Sequence, residues 1–83
     1  MSNGDDKATE ARIIRFCNGA ARTWDEIVSC VSGCNAMRSS ELSDEDQQKV
    51  TEASCILWQM CKAGTMSREC ASDPREDLYS PIR

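Results

Sequence analysis

One change of rhythm constrains this chain more than any other feature. Between Ser43 and Gly64, the residues Val50, Ala53, Leu57, Met60 and Cys61 recur at the spacing of one helical face, and directly beyond Gly64 the period shortens to two. Ser43 is the natural N-cap of this long helix. Asp44, Glu45 and Asp46 then fall at the positive end of its dipole, and Gly64 supplies the C-cap. Thr65 to Cys70 alternates larger apolar with polar side chains, Ser72-Asp73-Pro74-Arg75 is turn-like, and Asp77 to Ser80 alternates again, which predicts a β-hairpin. Pro81 closes the second strand and suits an edge position, because proline cannot donate to a ladder.

Two shorter helices precede this unit. Ala8, Ala11, Ile14 and Cys17 recur at three-residue steps, with Ile13 and Phe16 widening the stripe, and Asn18-Gly19 offers a left-handed stop. Thr23-Trp24-Asp25-Glu26 has the form of a capping box, in which Thr23 and Glu26 bond each other's backbone amides. Trp24, Ile27, Val28 and Val31 line the helix that follows, and Ser32-Gly33 ends it. Cys34 to Asp46, with Met37 and Leu42 as isolated apolar residues, reads as a loop with a helical turn. The expected core is Ile14, Cys17, Trp24, Ile27, Val31, Val50, Leu57 and Met60.

The fold class is therefore α+β. Eighty-three residues bury one modest core, so the expectation is a disordered N-terminal tail over residues 1–7 and a single domain over 8–83. No apolar run approaches the roughly 18 residues of a membrane span, and the polar, acidic start does not resemble a signal peptide. No membrane association is expected, and the localisation expected is cytoplasmic. Ten Lys and Arg face fourteen Asp and Glu, a formal net charge of −4, which argues against strong indiscriminate binding to nucleic acid.

Six cysteines, Cys17, Cys30, Cys34, Cys55, Cys61 and Cys70, leave three alternatives open: reduced thiols in the core, a disulfide framework, or a metal site. The compartment expectation favours the first. There is no Cys-x-x-Cys pair and no histidine, so neither a metal nor another cofactor is expected. A thiol sensor would use Cys34 or Cys70, the two least clearly in the core. Without histidine, neither a Ser-His-Asp nor a Cys-His pair can be assembled, and no glycine-rich phosphate loop is present. The chain is expected to bind and not to catalyse.

The order helix, short capped helix, long helix, hairpin resembles the winged helix-turn-helix family. The most specific stretch is Ile56-Leu57-Trp58-Gln59-Met60-Cys61-Lys62-Ala63-Gly64-Thr65-Met66-Ser67-Arg68-Glu69, which looks like the family's recognition helix running into its first wing strand. Thr23-Trp24-Asp25-Glu26-Ile27 is similar to the start of its second helix. The resemblance implies a three-helix winged helix-turn-helix with a C-terminal β-hairpin wing, acting in transcription regulation as a DNA-binding protein; a homodimer is expected because a single small acidic module would hold DNA weakly. Base contacts would then come from Gln47, Gln48, Lys49, Thr51 and Ser54 on the third helix. Arg68 and Arg75 would hold the backbone from the wing, and Arg22 and Arg38 would clamp phosphates near the second helix. Two departures stand out. The connection between the second and third helices is long, and the third helix leads with Asp44-Glu45-Asp46, which would face phosphate. The alternative partner is a protein with a basic surface, met by the acidic face Asp44, Glu45, Asp46 and Glu52.

Overall fold

The computed structural model describes residues 3–82. Helix α1 spans Asn3–Cys17, strand β1 Arg22–Thr23, helix α2 Trp24–Ser32 and helix α3 Asp44–Lys62, and strands β2 and β3 span Met66–Glu69 and Leu78–Pro81. Two short 3-10 helices, Ala36–Glu41 and Pro74–Glu76, occupy the connections before α3 and between β2 and β3. The antiparallel sheet has the order β1-β3-β2.

Local chemistry accounts for most boundaries. Asn18 and Gly19 both take positive φ and stop α1. At α2 the Thr23 hydroxyl accepts from the Glu26 amide at 3.1 Å while the Thr23 amide donates to the Glu26 carboxylate at 3.1 Å, and Gly33 ends the helix at φ 72°. Ser43 caps α3 by accepting from the Asp46 amide at 3.3 Å. The other end of α3 is a Schellman turn: the Gly64 amide donates to the Cys61 carbonyl and the Thr65 amide to the Met60 carbonyl, with Gly64 at φ 82°. The helix cap proper is Ala63, so Gly64 lies one position beyond it.

The core joins Ile13 and Cys17 of α1, Ile27 and Val28 of α2, Ala36, four α3 residues (Val50, Ala53, Leu57, Met60), Met66 of β2 and Tyr79 of β3. Ile13 replaces the expected Ile14, which is 40% exposed. Each three-residue step falls about 60° short of a full turn, so the line Ala8, Ala11, Ile14, Cys17 winds around the helix instead of staying on one face. Trp24 and Val31 are half-buried at the edge of the core. Of the cysteines, all free, only Cys17 is buried; Cys34 and Cys61 are half-buried and Cys30, Cys55 and Cys70 are exposed. The expectation of core thiols holds for Cys17 and in part for Cys34 and Cys61.

Two further points correct the sequence expectations, and a third adds to them. Helix α1 begins at Asn3, inside the segment expected as a tail, because Asp6 to Ala11 contains good helix formers and no breaker; residues 1 and 2 lie outside the described residues. Strand β3 is the central strand, not an edge. Its Pro81 pairs with Met66 on one side, while β1 reaches only Leu78 and Tyr79 on the other, so the proline breaks no bond to β1. Finally, the β2–β3 loop is folded back onto the body: the Trp24 amide donates to the Asp77 carbonyl at 2.8 Å, and the buried Asp77 carboxylate accepts from the Ala71 amide at 2.7 Å. No helix among the described residues is long and apolar enough to cross a membrane.

Candidate functional site: the outward face of the third helix

With Val50, Ala53, Leu57 and Met60 turned into the core, α3 exposes the opposite line Asp44, Gln48, Thr51, Cys55, Gln59 and Lys62, flanked by Glu45 and Glu52. The expected base-reading set does not stay together on it. Gln47 is half-buried and its side-chain amide donates to the Leu42 carbonyl at 3.0 Å, which fastens the preceding loop. Ser54 is turned toward α2, where its hydroxyl accepts from the Trp24 indole at 3.0 Å. Thr51 is exposed, with its hydroxyl bonded back to the Gln47 carbonyl at 3.0 Å. Gln48 and Lys49 remain exposed.

The cations are more telling. Lys49 lies 3.7 Å from Asp46, Arg38 2.8 Å from Glu41, Arg22 3.8 Å from Glu26 and Arg75 3.0 Å from Asp73. Arg75 also donates to the Met37 carbonyl at 3.4 Å, so it ties the hairpin loop to the 3-10 helix. Arg22 additionally lies over the Phe16 ring at 5.4 Å. Of the five basic residues in the expected DNA-contacting set, only Arg68 lacks an ion pair to a carboxylate among the described residues. The neighbouring Cys70 and, after it, Tyr79 push the Arg68 guanidinium pKa further up. In turn Arg68 partly offsets the effect of burial, which pushes the Cys61 thiol up.

The two ends of α3 therefore differ in sign. Its first turn carries Asp44 and Glu45 exposed and Asp46 half-buried, and its last turn carries Lys62, with Arg68 alongside. Beside the last two turns lies a groove of about 320 Å³ whose lining includes Trp24, Ser54, Trp58, Arg68, Pro74 and Tyr79. Trp58 is 53% exposed, and the Lys62 ammonium sits 4.6 Å from the centre of its ring. Neither Trp58 nor Lys62 belongs to the sequence-derived site. Their four-residue separation was the signal that could have found them.

Among the described residues, no three Cys, Asp or Glu side chains converge as a metal ligand set. Against family models, curated proteins and solved structures, the chain shows no match.

Proposed function

We propose that this chain is a winged-helix module that binds a protein partner through the outward face of α3. The architecture supports the scaffold: the order α1-β1-α2-α3-β2-β3 with the sheet order β1-β3-β2 is that expected of a winged helix, including a first strand too short to be seen in the sequence. A protein partner is supported above all by the charge layout of that face. The first turn of α3 presents three carboxylates where a DNA-binding helix would meet phosphate, and four of the five basic residues expected to contact DNA are already beside carboxylates of the same chain. Exposed ion pairs are worth only about 0–1 kcal/mol and could be broken, but their carboxylates would stay close to the DNA. The acidic stretch of exposed Asp44, Glu45 and Glu52 with half-buried Asp46 complements a basic protein surface, and Trp58, on the hairpin side of the same helix, offers an aromatic anchor.

Double-stranded DNA is the second reading, favoured by the strand order and by the position of Lys62 and Arg68 flanking Trp58. Fluorescence anisotropy separates the two. With random duplex DNA at about 50 mM and about 200 mM salt, a DNA binder shows affinity that collapses with salt. The expected result is no DNA association at the lower salt, together with salt-sensitive binding of a Lys- and Arg-rich peptide that disappears in the Asp44→Asn, Glu45→Gln, Asp46→Asn variant. DNA binding that is lost in Arg68→Ala or Lys49→Ala would overturn the protein reading.

A further inference from the structure

The outward line of α3 is complementary to itself when reversed. We infer that its partner is a second copy of this chain, packed antiparallel along α3 about a two-fold axis near residue 53. The inference rests on the protein-binding reading above and names the occupant of the same face.

Helix α3 is 19 residues long, about 28 Å at the usual rise, and is exposed along one line from the first turn to the last. In an isologous contact the same patch meets itself, so whatever sits a given distance before the axis meets what sits that distance after it. The reversed line brings Asp44 and Glu45 to the partner's Lys62, Gln48 to the neighbourhood of the partner's Trp58, and Thr51 to the partner's Cys55. Both acidic first turns thus meet basic last turns, where Arg68 adds its charge beside Cys61. Trp58, half in solvent on the hairpin side of the line, is then covered by the first half of the partner's α3. A parallel arrangement would instead set acid against acid and base against base. One like-charge contact remains, since Glu52 lies close to the axis and faces its own mate.

Sedimentation equilibrium of the full chain under reducing conditions tests this geometry. The expected result is a concentration-dependent dimer that weakens with salt. Lys62→Glu, and separately the Asp44→Lys, Glu45→Lys pair, should each raise the dissociation constant on the order of tenfold, because every exposed contact occurs twice. Mixing those two variants restores opposite charges across the contact, so a heterodimer tighter than either homodimer is expected. Glu52→Gln should tighten the dimer. All substituted residues are exposed or in the first turn, and circular dichroism verifies that each variant is folded. A wild type that stays monomeric, or a dimer indifferent to both charge reversals, overturns the inference. A monomer that still binds the basic peptide through Asp44 to Asp46 leaves the protein-binding reading standing, whereas loss of both brings down both.

Discussion

Thr23 and Glu26 do more for α2 than their exposure suggests. The Glu26 carboxyl is held below its ordinary value of 4.5, first by the hydrogen bond from the Thr23 amide and then by that from the Thr23 hydroxyl, with nearby Arg22 adding a smaller effect. A carboxyl whose folded pKa is depressed contributes stability that is complete above its unfolded value and is lost as pH falls through the folded one. Acid titration of the unfolding midpoint should therefore show a loss beginning below about pH 4.5, and Glu26→Gln should flatten that part of the curve. Thr23→Ala removes the reciprocal bonds and should cost about 1 kcal/mol in denaturant unfolding. Trp24→Phe keeps most of the ring packing but leaves Ser54 without its 3.0 Å partner, for a loss of about 0.5–1.5 kcal/mol. The capping residues were readable directly because each bond spans only three positions. Trp24 and Ser54 lie thirty positions apart, and no local pattern could pair them.

At the scale of elements, α3 carries the fold. Leu57 is fully buried, so Leu57→Ala should lower the free energy of unfolding by about 2–5 kcal/mol. Gly64 offers a different test. A methyl group there would meet nothing within 4 Å, so the cost of Gly64→Ala comes only from holding alanine at φ 82° and should be about 1–2 kcal/mol. Helices α2 and α3, their caps and the hairpin were legible because hydrophobic period and cap chemistry are local properties. Strand β1 was not: two residues have no period, and Arg22 and Thr23 are strand only because Tyr79 and Leu78 lie opposite them. The acidic lead of α3 was legible for the same local reason. What disarmed the expected DNA set was partly readable, since Lys49 and Arg38 sit three residues from Asp46 and Glu41. The tie from Arg75 to Met37 needed the hairpin loop to fold back, which tertiary packing decides.

Taken whole, the molecule sorts its six thiols by position. Cys17 sits in the core, where burial raises its pKa, and Cys61 is half-buried with its pKa raised for the same first reason. Cys30, Cys55 and Cys70 face solvent. A thiolate is the reacting species, so a disulfide-exchange reagent added to the native protein should modify three thiols rapidly, with Cys17 protected until unfolding. Mass mapping that finds Cys17 among the first to react would contradict this packing. The sheet order has a consequence of another kind. Among the described elements β3 is made last, yet it is the middle strand and the sole partner of both β1 and β2. During synthesis on the ribosome the three helices emerge and can collapse on one another first, while Arg22, Thr23 and the β2 residues wait with open backbone groups. Neither seam can close until Leu78 and Tyr79 have left the exit tunnel, so both depend on the same late segment.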